Sequence, residues 1–118
     1  MNIILTGNPQ STNNLYRRGR SGMYMTEAGH DLKTDYHVQA MQQYNRKPLD
    51  GPVHVQILIY FGDKKKRDID NYNKILLDSL TGVVYKDDSQ IEEMFVKKDY
   101  DKKNPRIVIN VCSIIEKY

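Results

Sequence analysis

The stretch VHVQILIYF, Val53 to Phe61, constrains this chain more than any other. Val53, Val55, Ile57, Ile59 and Phe61 recur with period two, which places all five on one face of a β-strand. Leu58 and Tyr60 make the opposite face partly apolar. A strand of this kind needs a sheet, and a sheet covered on one side by helices suits it.

The flanking segments supply both. NIIL near the start reads as a short strand, and GNPQSTNN after it is dense in turn formers. Leu15 to Thr26 reads as two short strands joined at RRGRSG, with Gly19 and Gly22 making the turn. Thr26 is placed to cap a helix that starts at Glu27 and runs to about Asn45, ended by Pro48 and Gly51. Its apolar stripe is weak: Leu32, Tyr36, Ala40 and Gln43 or Tyr44. A second helix is predicted from about Asn71 to Leu80, burying Tyr72, Ile75, Leu76 and Leu80, with Gly82 at its C-terminal cap. Gln90–Asp99 and Arg106–Ile114 read as a closing pair of strands across YDKKNP. The expected fold class is α+β, a largely antiparallel or mixed β-sheet with two helices packed on it. At 118 residues without repeats or linkers, residues 1–118 form a single domain.

Hydrophobic residues make up 39% and charged residues 28%, the balance of a soluble globular chain. No apolar run approaches the roughly 20 residues that span a bilayer, so no membrane association is expected. MNIILTGNPQ lacks the pattern of a secretory leader, which points to a cytoplasmic protein. Cys112, alone in an apolar run, is expected as a small buried hydrophobe in a reducing compartment. The net charge of +3 is modest, but the bases are clustered. Arg17, Arg18 and Arg20 form one group, Lys64, Lys65, Lys66 and Arg67 a second, and Lys97 to Arg106 a third. Folded onto one surface they would bind a phosphate backbone.

The run KKKRDIDNYNK, between the long strand and the second helix, carries the chemistry. On extended backbone Asp68 and Asp70 point the same way with Ile69 turned aside. Two converging carboxylates suit a hard cation, since Mg²⁺ takes oxygen ligands from one or two carboxylates, water and phosphate. The competing reading makes Asp70 a helix cap and pairs Asp68 with Arg67. An EF-hand is excluded, because counting from Asp68 the sixth position is Asn73 and the twelfth Ser79. A second acidic pair, Asp87-Asp88, follows in VYKDDSQI, and a tight return past the helix would bring Asp88 toward the first pair. Lys74 lies four residues from both Asp70 and Asp78. It reads either as an ordinary helical ion pair or as an ammonium beside a scissile phosphate. Arg67, Lys65 and Lys66 would grip flanking phosphates. The three histidines are too far apart for a zinc helix, and no glycine-rich phosphate loop is present.

These motifs together resemble the RusA family of Holliday-junction endonucleases. The likeness spans PQSTNNLYRR and the stretch DIDNYNKILLDSLTGVVYKDDSQI, which matches the family's D-x-D-N-x-x-K…D-x-L…DD-x-Q core. It implies that Asp68, Asp70 and Asp88 are metal ligands and Lys74 the active-site lysine, and it aligns Asp87 with the first acid of the DD pair. It further implies Mg²⁺ dependence (with Mn²⁺ as a substitute), a homodimer, and paired incisions in four-way DNA. Lys65, Lys66 and Arg67 match the family's basic stretch by type, and Arg17, Arg18 and Arg20 stand in the early basic segment. Two alternatives remain open: a non-catalytic DNA-binding module of a mobile element, and a nuclease acting on forks or flaps.

Overall fold

The computed structural model describes residues 2–114. Its centre is a four-stranded mixed sheet in the order β1-β6-β4-β5, built from β1 (Asn2–Thr6), β4 (Val53–Phe61), β5 (Ile91–Tyr100) and β6 (Arg106–Ser113). β4 pairs antiparallel with β6 and parallel with β5, and β1 pairs antiparallel with β6. A separate hairpin is formed by β2 (Tyr16–Gly19) and β3 (Gly22–Met25). The helices are α1 (Thr12–Leu15), α2 (Glu27–Gln43) and α3 (Asn73–Leu80), the last preceded by a 3₁₀ turn at Ile69–Tyr72. Among the described residues no helix is long and apolar enough to cross a membrane. The class is α+β, as expected.

The alternation in β4 holds at every position: Val53, Val55, Ile57, Ile59 and Phe61 are all buried. They pack with Ile3, Leu5, Ile107 and Ile109 of the neighbouring strands and with Ile75, Leu76 and Leu80 of α3. The opposite face of the sheet is open. Cys112 lies there, opposite His54, and is exposed, not buried as its apolar surroundings suggested. Period two explains the difference, because Ile107 and Ile109 claim the core face and leave Val108, Asn110 and Cys112 outward.

The last two strands are not a hairpin pair. β4 lies between β5 and β6, and the connection 101–105 passes over its end, where the Asp101 amide bonds the Phe61 carbonyl at 2.8 Å. β6 carries alternating isoleucines and takes an inner place, whereas β5, exposed at most of its positions, takes the edge.

α2 holds the other edge by an unusual device. The Gln43 side chain accepts from the Ile4 amide and donates to the Ile4 carbonyl, each at 2.8 Å, while Gln39 Oε1 accepts from the Thr6 amide at 2.9 Å. Two glutamines thus stand in for a strand along β1. This accounts for the weak apolar stripe, of which Tyr36 and Ala40 are buried. The Thr26 hydroxyl caps the helix by accepting from the Gly29 amide at 3.1 Å. α1 lies within the segment whose composition suggested only turns. Ser11 caps it through the Asn13 amide at 3.3 Å, and Leu15 anchors it in the core.

Candidate metal and DNA site

The run after β4 is positioned by aromatic packing. Tyr72 meets Phe61 edge-on, with ring centroids 5.0 Å apart, and the Arg67 guanidinium stacks on the same Phe61 ring at 4.4 Å. The Arg67 carbonyl accepts from Lys98 Nζ at 2.6 Å, tying the run to β5. To bring Tyr72 and Ile75 inward, the chain winds into the 3₁₀ turn directly after Asp68. The extended backbone therefore ends at Asp68, and Asp70 stands in the first turn instead of alternating with it. Asp68 occupies the cap position but makes no side-chain capping bond. Both carboxylates are exposed, and neither joins an ion pair among the described residues.

The residues just before them line a cleft of about 310 Å³, in which Lys64, Lys66, Arg67 and Lys98 outnumber Asp63 and Asp99, with Phe61 and Tyr100 as its aromatic walls. Lys64 Nζ sits 5.1 Å from the centre of the Tyr100 ring. Lys65 borders the same cleft. Arg67 pairs with Asp63 at 2.8 Å, and this bond holds the Asp63 carboxyl below the usual carboxylate range. Lys98 and Tyr100 are additions that the motif alone did not single out. The late basic cluster was the signal, and the parallel pairing of β5 with β4 brings it here.

Arg17, Arg18 and Arg20 lie on the hairpin, all exposed, with Arg17 opposite Tyr24 and Arg18 opposite Met23. The hairpin base meets α3: Tyr16 donates its hydroxyl to Asp78 Oδ2 at 2.7 Å. Burial first, and this bond second, raise the Tyr16 phenol above its ordinary value. Lys74 Nζ lies 3.7 Å from the same Asp78 oxygen and 5.1 Å from the centre of the Tyr16 ring. Lys74 therefore pairs with Asp78 and not with Asp70.

Asp88 opens the 3₁₀ turn Asp88–Gln90. Gln90 locks this loop, its Oε1 accepting from the amides of Lys86 and Asp87 at 2.9 Å and its Nε2 donating to the carbonyls of Leu49 and Gly51 at 2.8 Å. Asp87 accepts from the Ser89 hydroxyl at 2.8 Å, which holds its carboxyl low, so it serves the turn. Asp88 is exposed at the foot of β5, where Ile91 pairs with Val53. The Asp68 run is bound through Arg67 to Lys98, seven residues along β5 from Ile91, and Asp88 shares a shallow hollow with Leu77 of α3. The chain does return past α3 to Asp88, but Asp68, Asp70 and Asp88 do not form a ready-made ligand group among the described residues. Among the described residues no three His, Cys, Asp or Glu side chains form a group able to hold a metal ion.

The donor chemistry of Asp68 and Asp70 still suits a hard cation: two unpaired carboxylates directly after Arg67, which lines a mainly basic cleft. Comparison with known proteins gives two further findings. "Uncharacterized protein YqaN" of Bacillus subtilis (strain 168) is 41% identical over 49 residues, a match covering 42% of this chain and 34% of that protein. The family described as "Endodeoxyribonuclease RusA" matches residues 6–112, from the end of β1 into β6. That span takes in the 3₁₀ turn, α3, the Gln90-locked loop and the hairpin together, and the chain belongs to the RusA endodeoxyribonuclease family.

Proposed function

We propose that this chain is a Mg²⁺-dependent structure-specific endonuclease that resolves Holliday junctions in DNA recombination and repair. The observation that carries the reading is the unpaired Asp68–Asp70 pair that directly follows Arg67 of the basic cleft, in a chain of this family. Asp68 and Asp70 would hold the cation, Mn²⁺ substituting for Mg²⁺. When bound, the ion supplies Lewis-acid polarisation of the phosphate and a more acidic water for in-line attack. Lys74 offsets charge on the phosphate or on the departing oxygen. Lys65, Lys66 and Arg67 grip the flanking backbone, and Arg17, Arg18 and Arg20 extend the contact along the hairpin.

The working unit in this reading is a homodimer in the cytoplasm, one active site per copy, which matches the two-fold symmetry of paired cuts. Two features of the chain bear on it. β5 is a ten-residue edge strand with Met94 and Phe95 45% and 47% exposed, an edge that isolated proteins normally protect. In addition, no three-acid ligand group is ready-made among the described residues, so Asp88 would join Asp68 and Asp70 either by a local adjustment or from a second copy.

The test is a cleavage gel comparing four-way, forked and linear duplex DNA with and without Mg²⁺. Symmetric cutting of the four-way substrate only with the metal supports the reading. Preferred cutting of forks or flaps would move the substrate. Metal-independent binding with no cutting of any substrate would leave a DNA-binding module.

A further inference from the structure

Helical spacing offers Lys74 two carboxylates, Asp70 four residues before it and Asp78 four residues after. An acid N-terminal to lysine is the better arrangement in a regular helix, which would favour Asp70. The structure shows the reverse. Lys74 Nζ lies 3.7 Å from Asp78 Oδ2 and over the Tyr16 ring, and no ion pair joins it to Asp70. Asp70 sits in the 3₁₀ turn and not in α3, which removes the regular i,i+4 geometry. On the other side Tyr16, buried at the hairpin base, fixes the shared Asp78 oxygen by donating to it at 2.7 Å and offers its ring face to the ammonium.

We infer that Asp78 and Tyr16 are positioning residues that hold the Lys74 ammonium on the hairpin side of α3, keeping Asp70 open to a divalent cation. A lysine free to swing onto Asp70 would occupy the carboxylate the cation needs, and it would also be absent from the phosphate. Held by Asp78, it stays outside the ligand set and ready for an incoming phosphodiester. Asp78 belongs to the D-x-L portion of the sequence motif, and the site as described gives it no other task. The inference rests on the metal-site reading above.

Calorimetric titration of the full chain with Mn²⁺ alone, without DNA, tests it. Asp78→Asn keeps the shape and an acceptor for Tyr16 but removes the charge that restrains Lys74. It is expected to weaken Mn²⁺ binding about tenfold, the scale usual when a group that orients a metal site is lost. Tyr16→Phe, which changes no charge, should weaken it in the same direction. In a Lys74→Met background, Asp78→Asn should change nothing, because the competing ammonium is gone. An equal loss in both backgrounds would reduce Asp78 to a distant field and overturn the inference, as would unchanged affinity in Asp78→Asn or Tyr16→Phe. A wild-type chain that binds no Mn²⁺ would instead overturn the metal-site reading itself. Parallel melting curves without metal identify any variant that fails to fold, and Tyr16→Phe then carries the test.

Discussion

At the scale of single residues, the acids of this chain divide by what they already hold. Asp63, Asp78, Asp87 and Asp101 are committed to Arg67, to Tyr16 and Lys74, to Ser89, and to Arg106. Asp68, Asp70 and Asp88 join no ion pair among the described residues. A committed acid contributes to stability and an uncommitted one is available for chemistry. Asp87 shows the consequence in pH. Its carboxyl is held below the ordinary 3.8 chiefly by the Ser89 hydroxyl, so its contribution is complete above that value and is lost as pH falls through the lower folded value. Asp87→Asn should flatten the acid limb of a melting-temperature profile below about pH 4, with little change near neutrality. An unaltered acid limb would show that the Ser89 bond contributes nothing. The sequence displayed all these acids equally, with only spacing to rank them. Which were occupied depended on tertiary partners such as Tyr16, 62 residues from Asp78, that no local pattern reports.

At the scale of elements, local patterns succeeded where one rule dominated. Strict alternation in β4 and the apolar stripe of α3 predicted burial at each named position, and Gly82 adopts the positive φ of +84° that a helix C-terminus favours. They failed where two rules competed. The Asp68–Asp70 stretch reads as extended, but the demand to seat Tyr72 against Phe61 winds it into a turn. α2 reads as weakly amphipathic because two of its contacts to the sheet are glutamine hydrogen bonds to the β1 backbone. Gly29 is required for a reason no sequence rule supplied: a Cβ there would strike the Leu15 carbonyl oxygen and approach the Met25 side chain to 2.6 Å. Because the obstacle is backbone, Gly29→Ala should destabilise the fold by about 1–3 kcal/mol in denaturant melts. Stability equal to wild type would mean that α1 and the hairpin can shift aside freely. Gln43→Ala leaves the Ile4 amide and carbonyl at an open edge and should cost about 1 kcal/mol per lost bond or less, measured the same way.

At the scale of the whole molecule, the strand order determines what one chain can do alone. Parallel pairing of β5 with β4 brings Lys98 to the Asp68 run, while Asp88 leads into the first residue of that strand. The sequence contained both acidic pairs but no record of their relative placement, because strand order is set by long-range pairing. If the homodimer proposed above completes its site with Asp88 of the partner subunit, complementation follows. Asp70→Asn and Asp88→Asn chains, each inactive alone, should regain nicking when mixed and refolded together, since one site per mixed dimer keeps all three acids. No recovery in a verified mixed dimer would confine the set to one chain. The central claim is that Asp70 holds the cation that cutting requires. The most direct measurement follows cleavage and binding of one four-way junction side by side, for wild type and Asp70→Asn, across an Mg²⁺ titration. The account predicts metal-dependent cutting by wild type, and for Asp70→Asn cutting lowered by at least about 10²-fold with binding equal or tighter, since a negative charge near DNA is gone. Cutting by Asp70→Asn at the wild-type rate, or loss of binding in step with cutting, would contradict it.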